Sequence, residues 1–188
     1  MPARTTSIEK RLRSFPDPQR NALLGLWAIL RDLVPDAEEA IAYGMPTLQV
    51  RGKNVVHLDG FAAHNGLFPS SGRILGSIGP IPSWCRTTRG GIAFPVDRMP
   101  PRPLIRRIVA ARMAELGAMH SGLRLEFARD GRLRAEGRMR AGELHGEWKW
   151  YRADGSPMRT GRFSDGRRTG TWITFDKDGA EVRRTVLG

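Results

Sequence analysis

The sequence predicts an α+β protein in two parts: helices packed on an antiparallel sheet over residues 1–118, then an all-β meander of hairpin repeats over 119–188. Three observations predict it. Residues 18–34 place apolar side chains at helical spacing, and apolar runs of strand length broken by glycine follow from Thr47 to Pro95. The last third of the chain then repeats itself with a period of 24 residues.

The first helix opens at Pro16-Asp17-Pro18, where Asp17 is placed as N-cap and Pro18 in the first turn. Leu23, Leu26, Trp27, Leu30, Leu33 and Val34 give it one apolar face, and Pro35 ends it. A short acidic helix is expected over 36–42. Strands follow over 47–50 and over 55–68, the first closed by the Arg51-Gly52-Lys53 turn and the second divided at Asp59-Gly60. Residues 70–78 read as helical and 92–95 as a further strand. A closing helix over 104–116 aligns Leu104, Ile105, Ile108, Val109 and Met113.

In the repeats, Gly122, Gly146 and Gly170 are followed by Arg124, Trp148 and Trp172, then by Phe127, Tyr151 and Phe175. Asp130-Gly131, Asp154-Gly155 and Asp178-Gly179 come next, then Gly137 with Gly161 and Gly142 with Gly166. An aromatic run, Asp-Gly and a second polar run form a hairpin signal, so each of the three units is one hairpin joined by a two-residue primed turn. A lone hairpin is marginal in water, and the units must stack to be stable. Alternation sends Trp148 and Trp150 to one face and Tyr151 to the other. These rings, with Trp172 and Phe175, are either the core of a thin sheet or a partner surface, which leaves at most one face free.

The 188 residues carry a formal charge of +12, with 27 arginines among 31 basic residues. The charge is dispersed: 16 Lys and Arg against 9 Asp and Glu over 1–118, and 15 against 10 over 119–188. With abundant Ala, Gly and Pro this is the bias of a GC-rich genome. No helix-turn-helix, zinc-finger or RNP pattern accompanies it, so the charge is not read as a nucleic-acid surface. No run of apolar residues is long enough to span a membrane, and Met1 to Arg13 lack the apolar core of an export signal. The single cysteine, Cys85, fits a reducing compartment, and the expected location is cytoplasmic. Contact with a membrane surface stays open.

Residues 142–148, Gly-Glu-Leu-His-Gly-Glu-Trp, and 166–172, Gly-Arg-Arg-Thr-Gly-Thr-Trp, resemble the MORN-variant repeat, which also occurs in bacterial YwqK-type antitoxins. The first unit departs, with Arg124 in place of Trp. The resemblance implies a surface for protein or lipid contact, and an antitoxin-like partnership is one form of it. Residues 38–47, Glu-Glu-Ala-Ile-Ala-Tyr-Gly-Met-Pro-Thr, with 61–69, 90–95 and 103–112, resemble the bacterial YdhG-like family, some of whose members are described as frataxin-like iron chaperones.

If an iron role transfers, surface carboxylates and imidazoles must carry it, because iron takes oxygen ligands and accepts imidazole. The candidates are Asp36, Glu38 and Glu39 on the short helix, with Asp36 and Glu39 facing one way, and His57, Asp59 and His64 in the sheet. A second candidate is a ligand pocket at Tyr43, Gly44, Met45 and Pro46, with Tyr43 and His64 presenting polar tips in an apolar cleft. The alternative there is a turn that needs Gly and Pro for shape alone. Cys85 lies beside Arg86 and Arg89, which would lower its pKa, yet no base is in view. The chain has no phosphate-binding loop, no Gly-x-Ser-x-Gly, no His-Glu-x-x-His and no second cysteine. The expectation is a non-enzymatic binding or adaptor protein holding a small ligand or metal and engaging a protein through the repeats, with an iron chaperone as the alternative.

Overall fold

The computed structural model describes residues 7–188, so residues 1–6 of the stretch scanned for an export signal lie outside the described residues. It is α+β with two antiparallel six-stranded sheets. The chain divides into two compact units, one ending at Arg112 and the other Met113–Gly188, so the division falls inside a helix.

The first unit begins with α1 (Ser7–Arg13) and α2 (Gln19–Leu33). Leu23, Leu26, Trp27 and Leu30 form the buried face of α2, as the spacing predicts. Its start differs from expectation. Pro18 occupies the N-cap position without a side-chain cap bond, and the Asp17 carboxylate pairs with Arg20 one turn on.

The sheet of this unit consists of β1 (Glu38–Ala42), β2 (Met45–Val50), β3 (Lys53–Gly60), β4 (Asn65–Phe68), β5 (Arg86–Thr87) and β6 (Ile92–Phe94), in the order β1-β2-β3-β4-β6-β5. Within the acidic helix expected over 36–42, Glu38–Ala42 is therefore a strand. Tyr43 and Gly44, at φ of 54° and 75°, form a two-residue primed turn that folds Glu38–Ala42 back on β2 with Ala42 opposite Met45 and Glu38 opposite Gln49. Five backbone pairings outweigh a helix propensity worth a few tenths of a kcal/mol per residue, on the order of magnitude of ordinary scales. Nor is Asp59-Gly60 a turn: β3 runs through both, and the chain reverses at 61–64, where the Phe61 N–H donates to the His64 carbonyl at 2.8 Å. A 3-10 turn (Gly72–Ser77) and α3 (Arg102–Gly117) correspond to the helical stretches expected at 70–78 and 104–116.

The second unit adds β7 (Gly122–Phe127), β8 (Leu133–Arg140), β9 (Glu143–Tyr151), β10 (Pro157–Ser164), β11 (Arg167–Phe175) and β12 (Glu181–Leu187) as one antiparallel meander in sequence order. The turn types are exchanged relative to expectation. Ala141-Gly142 and Asp165-Gly166, with both residues at positive φ, are the two-residue primed turns. The Asp-Gly loops are three-residue connections: the Gly131 N–H donates to the Ala128 carbonyl at 3.0 Å and the Ala128 N–H to the Arg132 carbonyl at 2.8 Å. Only the glycine there has positive φ, the geometry of a turn closed by a glycine bulge. Asp130 and Asp154 still serve the loop, accepting from the N–H of Arg132 and Ser156.

Candidate functional site

The first unit places its candidate residues apart. Tyr43 is 83% exposed at the tip of the β1–β2 turn, and a Cβ on Gly44 would meet nothing within 4 Å. Pro46 and Met45 pair with Ile41 and Ala42. Tyr43, Gly44, Met45 and Pro46 thus build a hairpin, and the expected apolar cleft is absent because Tyr43 points to solvent. His64 is not with them; its ring stacks on Phe61 at 4.8 Å. Tyr43 instead meets His57 edge-on at 5.6 Å.

His57 and Asp59 face one side of β3, but both are buried and engaged. The Arg11 guanidinium donates to both Asp59 oxygens, at 3.2 and 2.5 Å, and the Gly60 N–H adds a bond to Oδ1. His57 lies between two hydroxyls, with Nδ1 2.7 Å from Thr47 Oγ1 and Nε2 2.8 Å from Ser70 Oγ. Thr47 spends its own proton on the Met45 carbonyl at 2.9 Å, so it accepts from Nδ1–H, and Nε2 accepts from Ser70. Burial first, and the Arg112 charge second, hold the imidazole pKa below its ordinary value and keep the ring neutral at pH 7. Ser70 sits at φ 56°, which a non-glycine residue adopts at a cost. Behind the imidazole stands a hydroxyl where a nucleophilic triad has a carboxylate, so the chain of bonds satisfies a buried ring.

Nothing in the local sequence pattern singles out the hydroxyl of Thr47 or of Ser70. Asp36, Glu38 and Glu39 form no helix face. Glu39 turns toward α2, accepting from Trp27 Nε1 and pairing with Arg31, each at 3.3 Å. Among the described residues no three His, Cys, Asp or Glu side chains converge on a point where a metal could sit. Of the donors the sequence nominates for iron, His57 has both nitrogens spent and Asp59 both oxygens. Cys85 is buried, and burial pushes its thiol up, opposite to the lowering expected from Arg86 and Arg89, whose side chains do not reach it in any hydrogen bond or ion pair among the described residues.

In the second unit the structure does bring the nominated residues together. Trp148 lies opposite Gly137 on one side and Gly161 on the other, and a Cβ on Gly137 would fall 2.2 Å from its ring. Trp172 uses Gly161 in the same way, at 2.4 Å. That nesting is the physical content of the period of 24: the glycine vacates the space the indole of the neighbouring strand fills. Trp148, Phe163 and Trp172 are buried with Ala135 and Met139, while Trp150 stacks on Trp172 at 5.7 Å. The indole N–H groups donate to the carbonyls of Arg138 and Thr169. Tyr151 lies on the opposite face, its hydroxyl bonded to Glu136. Phe175 ends β11 at a register shift opposite Glu181.

The two faces of this sheet therefore differ. One carries the sheet's own aromatic cluster. The other presents Glu147, Lys149, Thr160, Arg162, Thr171 and Ile173 around an open hollow of about 430 Å3. Next to it Val186, opposite Thr171 on the outer strand β12, is 71% exposed.

An α+β unit followed by a glycine-and-tryptophan meander is the class of protein these observations define. No protein-family model matches the chain, and no curated protein matches it. Among solved structures, a protein of the DUF1801 family (YdhG) from Bacillus subtilis is similar to it, with 14% identity and a TM-score of 0.48 over 57% of this chain and 89% of that one. TarM is similar at 7% identity and a TM-score of 0.27, over 88% of this chain and 22% of its own. Among the described residues no helix is long and apolar enough to cross a membrane.

Proposed function

We propose that the chain is a non-enzymatic binding protein whose repeat sheet contacts a protein partner through the face opposite its tryptophans. The observation that carries this reading is the inequality of the two faces. A single-layer sheet needs one apolar side for its own core, and here the aromatic cluster supplies it without help from the other side. Around the hollow the open side sets Lys149 and Arg162 beside Glu147 and the apolar Ile173, with Val186 next to them, a mix of charged and apolar groups suited to a protein surface that offers both. The 24-residue recurrence of Gly137 with Trp148 and Gly161 with Trp172 supports reading the array as MORN-variant repeats, and through them as a contact surface.

The test is affinity capture with the full chain, comparing wild type with the double variant Arg162→Glu/Ile173→Glu. A partner held by wild type and released by the double variant, but kept by Arg129→Glu in a hairpin loop, is the expected result. A partner retained equally by all three would remove this face from the account.

A further inference from the structure

We propose that the tryptophan-bearing face carries, on its last three strands, a binding site for a small phosphorylated anion of about the size of pyrophosphate. The site goes beyond the protein-contact reading, since it lies on the other side of the sheet and does not depend on it. Arg159, Arg168, Trp172, Thr174, Arg183 and Thr185 line a depression of about 210 Å3. The strand register builds it: Thr174 on β11 has Arg159 of β10 directly opposite on one side and Arg183 of β12 on the other, and Thr185 is opposite Trp172. Neighbouring strands are about 4.8 Å apart, so two guanidinium groups flank one hydroxyl within easy reach of a common ligand.

Arg168 completes the set from above the Trp172 ring, 3.9 Å from its centroid, where the indole face restrains the guanidinium. Among the described residues none of these three arginines forms an ion pair or a hydrogen bond, whereas nearby Arg152 bonds carbonyls and Arg184 is paired with Glu181. Three unmatched positive charges around one hollow repel each other, and an anion relieves that repulsion. Guanidinium forks and two hydroxyls offer more donors than the two oxygens of a carboxylate accept, but suit the oxygens of a phosphoryl group. The volume is below the roughly 300 Å3 at which pockets for ring-bearing small molecules begin. The outer face of Trp172 is covered by Arg168 and the ring is buried, so a nucleobase has no ring to stack on.

Calorimetric titration of the full chain with inorganic pyrophosphate at low salt tests the assignment. Saturable binding is expected, weakened at least about tenfold by Arg159→Gln/Arg183→Gln, the loss of charge-assisted hydrogen bonds worth that factor. Arg134→Gln, an exposed arginine on the opposite face of β8, is expected to change it less than about twofold if the site is local. Equal weakening by Arg134→Gln, or no saturation up to millimolar pyrophosphate, overturns the proposal. So does capture on phosphatidic acid vesicles that depends on Arg159 and Arg183 and that pyrophosphate does not compete, because the ligand would then be a membrane surface. Unchanged melting of the variants shows that any loss is not unfolding.

Discussion

His57 is a buried imidazole whose surroundings favour the neutral ring, and this makes stability pH-dependent. Its folded pKa lies below the ordinary value of about 6.5, so between the two values the unfolded chain binds a proton that the folded chain does not. Stability is therefore full above that window and falls as pH drops through it, by at most about 1.4 kcal/mol per pH unit for one group. Urea unfolding at pH 7.5 and 5.0 should show a larger acid loss for wild type than for His57→Gln, and equal losses would assign the effect elsewhere. Asp59 gives a second expectation at this scale. Its carboxylate is 5% exposed and Arg11 is its cation, so Arg11→Ala leaves a buried charge short of a partner. Because the Arg11 side chain is itself 43% exposed and water takes part in screening the pair, about 1–2 kcal/mol is the expected loss in denaturant unfolding. Cys85, buried with its thiol pushed up, should resist a thiol reagent in the folded protein and react once the chain is unfolded.

At the scale of the element, the glycines beneath the indoles are constrained by space. Gly137→Ala would bring a methyl group 2.2 Å from Trp148, so either the ring or the strand must shift, at about 2–3 kcal/mol by the cost of overpacking. Thermal unfolding followed by tryptophan fluorescence reads that change directly. The primed turn at Ala141-Gly142 offers the opposite sign. Ala141 holds φ 50°, which asparagine tolerates better, so Ala141→Asn is expected to stabilise by about 0.5–1 kcal/mol. The same turn chemistry explains which elements were legible. Helices whose apolar residues recur at helical spacing, α2 and α3, are visible from spacing alone, and so is the hairpin count of the repeats. The stretch 36–42 was not, because Asp-Ala-Glu-Glu-Ala-Ile-Ala has helix-forming residues throughout and only the Tyr43-Gly44 turn and the pairing with β2 make it extended.

At the scale of the whole molecule, the same charge excess serves two units with different means of stability. The first buries apolar side chains of α1, α2 and its sheet; the second relies on aromatic rings nested over glycine. Among the described residues the carboxylates and imidazoles of the first unit are dispersed or engaged, so titration of the full chain with ferrous iron is expected to show no binding tighter than millimolar. Submicromolar binding would mean that the donors rearrange on the metal, and would favour the iron reading over this expectation.

The α+β class, the two principal helices and the number of hairpins follow from local pattern, because period and turn residues are properties of neighbouring positions, whereas the assignment of Trp148 and Trp172 to the core comes from the assembled sheet. The polar chain at His57 is different in kind. A two-residue turn at Arg51-Gly52 would set Thr47 opposite Val56, but a register shift after Leu48 brings His57 there instead, and Ser70 arrives from beyond β4. Likewise the arginines around Trp172 come from three strands and meet only through register. Contacts between residues far apart in the chain depend on bulges and strand order, and those are decided when the sheet assembles.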